Sequence, residues 1–301
     1  MARRKRGRPV HGWLIVDKPE GVTSTQVVGR ARWAFDAQKA GHAGTLDPFA
    51  TGLLAVAFGE ATKTVPYAQE GEKTYHFTIR WGHATTTDDR EGEVCASSDH
   101  RPTAADIEAA LPAFRGEIMQ TPPLFSAVKV DGERAYDIAR RGETAELKAR
   151  PLTVHQLVLL ETPDADHAVI EMVCGKGGYV RSIARDLGEA LGCHGHVASL
   201  RRLASGGFDL DGALDFEALE ALREDPARDD HLLAAEAGLG DAPEYEVPAS
   251  LAERLHHGDN SAVPAIDAPV YWLSYDGDPL AIVEREGAAP PKLKRVFRFD
   301  A

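Results

Sequence analysis

Gly41-His42-Ala43-Gly44-Thr45-Leu46-Asp47-Pro48-Phe49-Ala50-Thr51-Gly52 gathers glycines, a histidine, an aspartate and a proline just ahead of the apolar run Leu53–Phe58. Gly41, Gly44 and Gly52 permit backbone shapes or close approaches that a side chain would block. Pro48 has no amide proton and disfavours helical geometry at the residue before it. Asp47 is therefore presented on a shaped loop, where functional carboxylates are often placed. On local chemistry alone the same stretch also reads as a tight turn, with Asp-Pro as ordinary turn chemistry.

Outward from that loop the pattern is mixed α and β. Gly12–Pro19 reads as a short buried strand ended by a turn. Thr23 or Ser24 offers a cap for a helix through about Ala37, with Val27, Val28, Ala31 and Phe35 on one face. Leu53–Gly59 is uncharged and reads as buried, and Glu60–Thr64 begins a helical stretch. In Lys73–Gly82, Tyr75, Phe77, Ile79 and Trp81 alternate with Thr74, His76, Thr78 and Arg80, the signature of a strand with one buried side. Taken alone, Tyr75 is a core tyrosine. Thr103 caps a helix to about Leu111, and residues 152–161 and 168–174 read as paired strands. Gly175–Gly178 turns into a helix whose stripe is Val180, Ile183, Ala184 and Leu187. No nucleotide-binding motif is complete there.

The 301 residues suffice for a large domain plus a small one, and 43% hydrophobic with 27% charged residues fits a globular protein. Cys95, Cys174 and Cys193 are odd in number and widely spaced, which points to a reducing cytoplasm rather than a disulfide framework. Cys193-His194-Gly195-His196 has no second ligand pair, so no metal is expected. No apolar run approaches the ~18–20 residues of a membrane span. Residues 1–10 form a basic arm suited to phosphate or simply to solvent. The net charge of −13 seems to oppose a nucleic-acid partner, but residues 209–246 hold thirteen acidic and two basic side chains. The remainder is close to neutral, and screening over ~8 Å lets a basic surface act independently of that segment.

GHAGTLDPFATGLL resembles the catalytic motif of the TruB-type tRNA pseudouridine-55 synthases. Further stretches are similar to that family in order: Asp17-Lys18-Pro19-Glu20-Gly21, Gly59-Glu60-Ala61-Thr62-Lys63, the Lys73-Thr74-Tyr75 strand start, Thr85–Gly92, Gln120–Val130, Gly178-Tyr179-Val180-Arg181 and Gly195–Gly206. Gly178 stands where the family usually has threonine. The resemblance implies an α+β pseudouridine synthase fold, a mixed, largely antiparallel sheet flanked by helices over residues 11–240. It adds a small β-rich, PUA-like RNA-binding domain over 245–301. The acidic stretch is expected to hold a helix near Asp215–Leu222.

The resemblance makes Asp47 the catalytic carboxylate, Tyr75 a catalytic residue whose ring stacks on an extruded uracil and whose hydroxyl is a candidate for proton handling at the base, and Arg181 the catalytic partner of Asp47. Leu200 would line the uracil pocket. His42, Lys63, Tyr179, Lys129 and Arg202 are further candidates for contact with the RNA. Lys63 reads equally as a solvated lysine, His42 as framework, and Arg201-Arg202 as a surface pair. No redox partner, metal or nucleotide cofactor is implied, and no obligate protein partner. The implied reaction isomerises uridine to pseudouridine at position 55 in the tRNA T-loop, and the target must leave its stack. The alternatives are a non-catalytic RNA-binding or folding protein, or the same chemistry on another RNA. Three routes stay open for Asp47: attack at C1′, addition at C6, or a glycal formed by loss of the C2′ proton.

Overall fold

The structure is a computed structural model that describes residues 7–130, 132–143 and 146–299. The first six residues of the basic arm lie outside the described residues. β1 (Gly12–Lys18) is buried along nearly its whole length, which is why it reads as an apolar run instead of an alternation. α1 (Ser24–Ala34) starts at a capping box. Thr23 Oγ accepts from the Gln26 amide at 3.2 Å, and Gln26 Oε1 accepts from the Thr23 amide at 2.8 Å. The helix stops three residues short of the expected Ala37, because Asp36 takes a left-handed φ of 50°.

β2 (Ala40–His42) and β3 (Thr51–Phe58) pair antiparallel and hold the Asp47 loop between them. Gly44 and Gly52 have φ of 89° and 97°. Gly41 is not left-handed and a Cβ there would meet nothing within 4 Å, so the expected need for glycine does not hold at that position. At Gly52 a Cβ would overlap the Arg202 carbonyl oxygen and sit 2.9 Å from the Arg202 amide nitrogen. Gly52→Ala is therefore expected to destabilise by about 2 kcal/mol or more, from left-handed strain plus displaced strand backbone. A drop in the urea midpoint at unchanged slope measures it.

A 3₁₀ turn at Gly59–Lys63, not an α-helix, leads to α2 (Val65–Glu70). β4 (Lys73–Trp81) alternates as expected, with Tyr75, Phe77, Ile79 and Trp81 inward. β5 (His83–Thr85) and β6 (Val94–Ser97) form a hairpin that carries the polar loop 86–93. α3 (Ala104–Ala110), capped by Thr103, and β7 (Gly116–Gln120) follow. A small hairpin of β8 (Lys129–Val130) and β9 (Glu133–Arg134) leads to α4 (Ala135–Arg140). β10 (Arg150–Asp164) and β11 (His167–Cys174) pair antiparallel. α5 (Val180–Ala190), β12 (Gly195–Ser205) and β13 (Leu214–Asp215) complete the large unit.

The nine-stranded sheet runs β13-β1-β3-β12-β4-β11-β10-β7, with β2 on β3. It is mixed: β1–β13 and β3–β12 are parallel and the other pairs antiparallel. Its two halves meet at a short parallel seam, Thr51↔Arg201 and Gly52↔Arg202. The Asp47 loop ends at that seam. α5 lays Val180, Ile183, Ala184 and Leu187 on Tyr75, Phe77 and Ile79, in a core that also takes Leu46, Phe49 and Leu200. α1 covers β1 and β3 in a second core.

The acidic segment belongs to this large unit up to Leu239, and its last residues enter the C-terminal sheet. Its expected helix is present as a 3₁₀ helix, Glu217–Arg223, which buries Leu219 and Leu222 and turns Glu217 and Glu220 outward. Arg30 holds Glu220 at 2.8 Å. β14 (Glu244–Glu246), α6 (Ala249–His256), β15 (Val270–Tyr275), β16 (Asp278–Glu284) and β17 (Lys292–Val296) form the small C-terminal unit, sheet order β14-β15-β16-β17. Ile282 and Phe297 of this unit share a core with Trp13 and Phe208.

Candidate active site

Three segments meet at Asp47. The first is its own loop, pinned from below. Ser24 Oγ donates to the Leu46 carbonyl at 3.0 Å and accepts from the Leu46 amide at 2.9 Å. Lys18, fully buried, donates to the carbonyls of Pro19 (2.9 Å), Val22 (2.6 Å) and Pro48 (3.1 Å). Burial pushes the Lys18 ammonium down to about 8, with the nearby Asp47 charge opposing. The Asp-Lys-Pro turn, read from sequence as framework, is thus a clamp on the residue that follows Asp47.

The second segment is the start of α5. Tyr179 precedes the helix, and Gln120 fixes it on both sides, donating to the Tyr179 carbonyl at 3.0 Å and accepting from its amide at 2.9 Å. This delivers Arg181 onto the loop with every guanidinium nitrogen engaged. Nε lies 3.0 Å from Asp47 Oδ2, Nη1 donates to the Thr87 carbonyl at 3.0 Å, and Nη2 donates to the Phe125 carbonyl at 3.0 Å. Arg181 is 6% exposed while the Asp47 side chain keeps 36%, so the carboxylate opens outward and its partner does not. Gly178 is there for room: a Cβ would lie 2.7 Å from Cys174 Sγ and 3.3 Å from Leu152.

The third segment is the loop 86–93. Asp89 is buried, with its carboxylate 3.5 Å from Arg181 Nη1, so one guanidinium bridges two carboxylates. Arg185 braces the same loop through Asp88 at 2.9 Å. Burial pushes the Asp47 carboxyl above its ordinary range, Asp89 adds to the push, and Arg181 and Lys18 oppose it. Sequence reading passed over Lys18 and Asp89. Both lay inside quoted motifs, as Asp-Lys-Pro-Glu-Gly and Thr-Asp-Asp-Arg-Glu-Gly, but neither segment announces by itself that it folds under the Asp47 loop.

Tyr75 and Arg202 are cross-strand neighbours on β4 and β12. Tyr75 is 9% exposed, and burial raises its phenol above the usual value while the Arg202 guanidinium opposes. Leu200, 8% exposed, pairs with Phe77 on the same sheet face. Phe49 and Leu200 also wall a surface concavity of about 290 Å³ rimmed by Glu20, Thr51, His76 and Arg201; Asp47 and Arg181 do not line it. His42 ends β2 with a buried Nδ1 that has no protein partner. Burial and Arg202 push its imidazole towards the neutral form.

Two of the candidates sit elsewhere, and a third, Arg202, is buried beneath the Asp47 loop, donating to the Gly44 carbonyl at 3.0 Å. Lys63 is spent on Glu60 and on the Val296 carbonyl at 2.7 Å, fastening the C-terminal unit and not facing Asp47. Arg202 is 1% exposed and cannot be half of a surface pair or a phosphate ligand; Arg201 alone is outward, bound to Asp17 at 2.6 and 2.9 Å. Lys129 is exposed on the small β8–β9 hairpin, beyond the Phe125 carbonyl that Arg181 grips. Among the described residues no cluster of metal-ligating side chains occurs, and His196 Nδ1 is bonded to the His83 carbonyl at 2.9 Å.

The model of the TruB family pseudouridylate synthase N-terminal domain matches residues 32–180, and that of the tRNA pseudouridylate synthase B C-terminal domain matches 181–239. The chain belongs to the TruB family of pseudouridylate synthases. Proteins named tRNA pseudouridine synthase B are similar over their full lengths. That of Dinoroseobacter shibae is 56% identical over 305 residues, covering 100% of both chains. That of Ruegeria sp. is 57% identical over 304 residues, again covering 100% of both. The Roseobacter denitrificans protein is 59% identical over 285 residues, 94% of each chain. Among solved structures, a Cbf5-Nop10-Gar1 complex contains a chain with TM-score 0.74 and 22% identity, covering 96% of this chain and 86% of that one. That likeness shows the fold, the mixed sheet with its flanking helices and small C-terminal sheet. Both family models end before the C-terminal unit, and the boundary between them falls between Val180 and Arg181, inside α5.

Proposed function

We propose that this TruB family member isomerises uridine to pseudouridine in tRNA, at position 55 of the T-loop, with Asp47 as the reacting carboxylate. The observation that carries the assignment is the ion pair of an outward-facing Asp47 with a buried, fully engaged Arg181. Isomerisation breaks the bond between C1′ and N1, turns the uracil over and rejoins it through C5. The chain must supply an ionised carboxylate beside the sugar, a wall for the detached base and exclusion of water. Arg181 favours the charged form of Asp47 against its burial. Tyr75 and Leu200, neighbours on one face of β4 and β12, supply the wall. No helix of the described residues is long and apolar enough to cross a membrane, and a cytoplasmic tRNA is the substrate we assign.

The small C-terminal unit is read as PUA-like, with exposed Lys292 and Arg295 on its edge strand β17 available to backbone phosphates and Lys294 held by Glu284 at 2.7 Å. The test is a pseudouridine map of tRNA, ribosomal and messenger RNA from cells with and without the gene. Loss confined to the tRNA T-loop is the expected result. An unchanged map together with tRNA binding would instead favour a folding protein, and loss in another RNA would reassign the substrate.

A further inference from the structure

A reacting nucleotide brings phosphate with it, and the cations around Asp47 are nearly all committed within the protein. Lys18 and Arg181 are buried, and each spends its donors on protein oxygens. Arg202 is buried and bound to the Leu53 and Gly44 carbonyls. Arg185 is tied to Asp88 at 2.9 Å and to Asp186 at 2.8 Å. Arg201 faces outward, but both of its terminal nitrogens are held by Asp17, at 2.6 and 2.9 Å. Arg90 differs from all of these. Its side chain is 39% exposed, and its one side-chain contact among the described residues runs from Nη2 to Glu20 Oε1, on a side chain that is 57% exposed. Its Nε and Nη1 are left for another acceptor.

The place of that contact gives it meaning. Arg90 follows Asp89, whose carboxylate lies 3.5 Å from the guanidinium of Arg181, which in turn holds Asp47. The Arg90 amide donates to the Val197 carbonyl at 3.0 Å, so its side chain leaves a fixed backbone. Glu20 precedes Gly21, whose amide donates to the Pro48 carbonyl at 2.8 Å. Arg90 and Glu20 therefore come from the two loops that flank Asp47, and their contact closes a ring around the reacting carboxylate on its solvent side. We propose that Arg90 binds a backbone phosphate beside the target nucleotide, and that Glu20 is its stand-in anion while no RNA is bound. The inference rests on the reading of this site as one for a tRNA uridine. An exposed, one-point ion pair holds weakly. A phosphate offers the guanidinium two oxygens at once, and the resulting fork is the stronger contact. Exchange favours the phosphate, repels the freed Glu20 carboxylate, and opens the ring on the side where a nucleotide enters.

The test measures the affinity of the full chain for a tRNA T stem-loop over a range of salt. Arg90→Met is expected to weaken binding about fivefold or more and to lower the salt slope by about 1, the mark of one lost phosphate contact. Glu20→Gln is expected to tighten binding about threefold by freeing Arg90, and to change nothing in the Arg90→Met background. Both side chains are exposed, so the thermal midpoints are expected to match wild type. Stem-loops with one uncharged methylphosphonate linkage, placed 5′ or 3′ of the target uridine, locate the contact. One of the two placements is expected to cost wild type about fivefold and to cost Arg90→Met nothing further. An unchanged salt slope in Arg90→Met, equal tightening by Glu20→Gln in both backgrounds, or losses that multiply at both linkages would overturn the proposal. A protein that passes this cycle yet forms no pseudouridine would overturn the function assigned above and leave the phosphate contact standing, so the two failures are distinguishable.

Discussion

Asp47→Asn leaves tRNA binding within about twofold of wild type and lowers the single-turnover rate by at least about 10⁴-fold, the scale seen when a reacting group is removed from an enzyme. The substitution is nearly isosteric and keeps an oxygen for Arg181 Nε. Arg181 also keeps Asp89 and the Thr87 and Phe125 carbonyls, so the scaffold around the vacated charge stays tied. Removing a carboxylate that burial already disfavours does not unfold the protein, and the thermal midpoint is expected to stay near wild type. Release of tritium from C5-labelled uridine in tRNA reads the chemistry, and filter binding reads the affinity. Turnover within tenfold of wild type would remove Asp47 from the reaction, and none of its three open routes would survive.

The sequence exposed the parts of this site whose environment is local. β4 alternates because one face is core and the other solvent, so its inward Tyr75 could be placed from four residues of pattern. The Asp47 loop was visible because proline and glycine restrict the backbone wherever they occur. Arg202 was singled out as a candidate, but its burial was not visible. β12 carries Arg201 and Arg202 in an irregular run, and its register shifts at Val197/Ser199 and Arg202/Ala204 break the alternation that would have marked one arginine as inward. Lys63 was misplaced for a related reason. Nearness to Asp47 in sequence says nothing about the Val296 carbonyl, which arrives 233 residues later. Lys18 and Asp89 fall between these cases. Their segments were recognised, but the contacts that give them work are to another loop and to α5, and no periodicity encodes a tertiary ion pair. The family resemblance located Arg181 from far along the chain; the geometry adds that it binds two carboxylates, not one.

That second carboxylate sets the effect of changing Arg181. Arg181→Met leaves Asp47 and the buried Asp89 facing each other with no cation between them, and one of the two then takes a proton. The sign follows from the wild-type balance. In the proposed reaction Asp47 works as a carboxylate, and its folded pKa already lies above the ordinary value because burial outweighs Arg181. Activity is present above that raised pKa and is lost as pH falls through it. Removing the opposing cation raises the pKa further, so the acid limb of the single-turnover profile moves to higher pH, and the rate on the plateau drops by about 10³-fold. Arg181→Lys keeps a charge but cannot hold Asp47, Asp89 and two carbonyls at once. Its limb is expected between those of wild type and Arg181→Met. Asp89→Asn added to Arg181→Met removes one member of the carboxylate pair, so the limb should move back toward the wild-type position although the lost rate does not return. An acid limb that stayed in place in all three variants would mean that Arg181 only anchors the loops, and that the charge on Asp47 is governed by something other than this bridge.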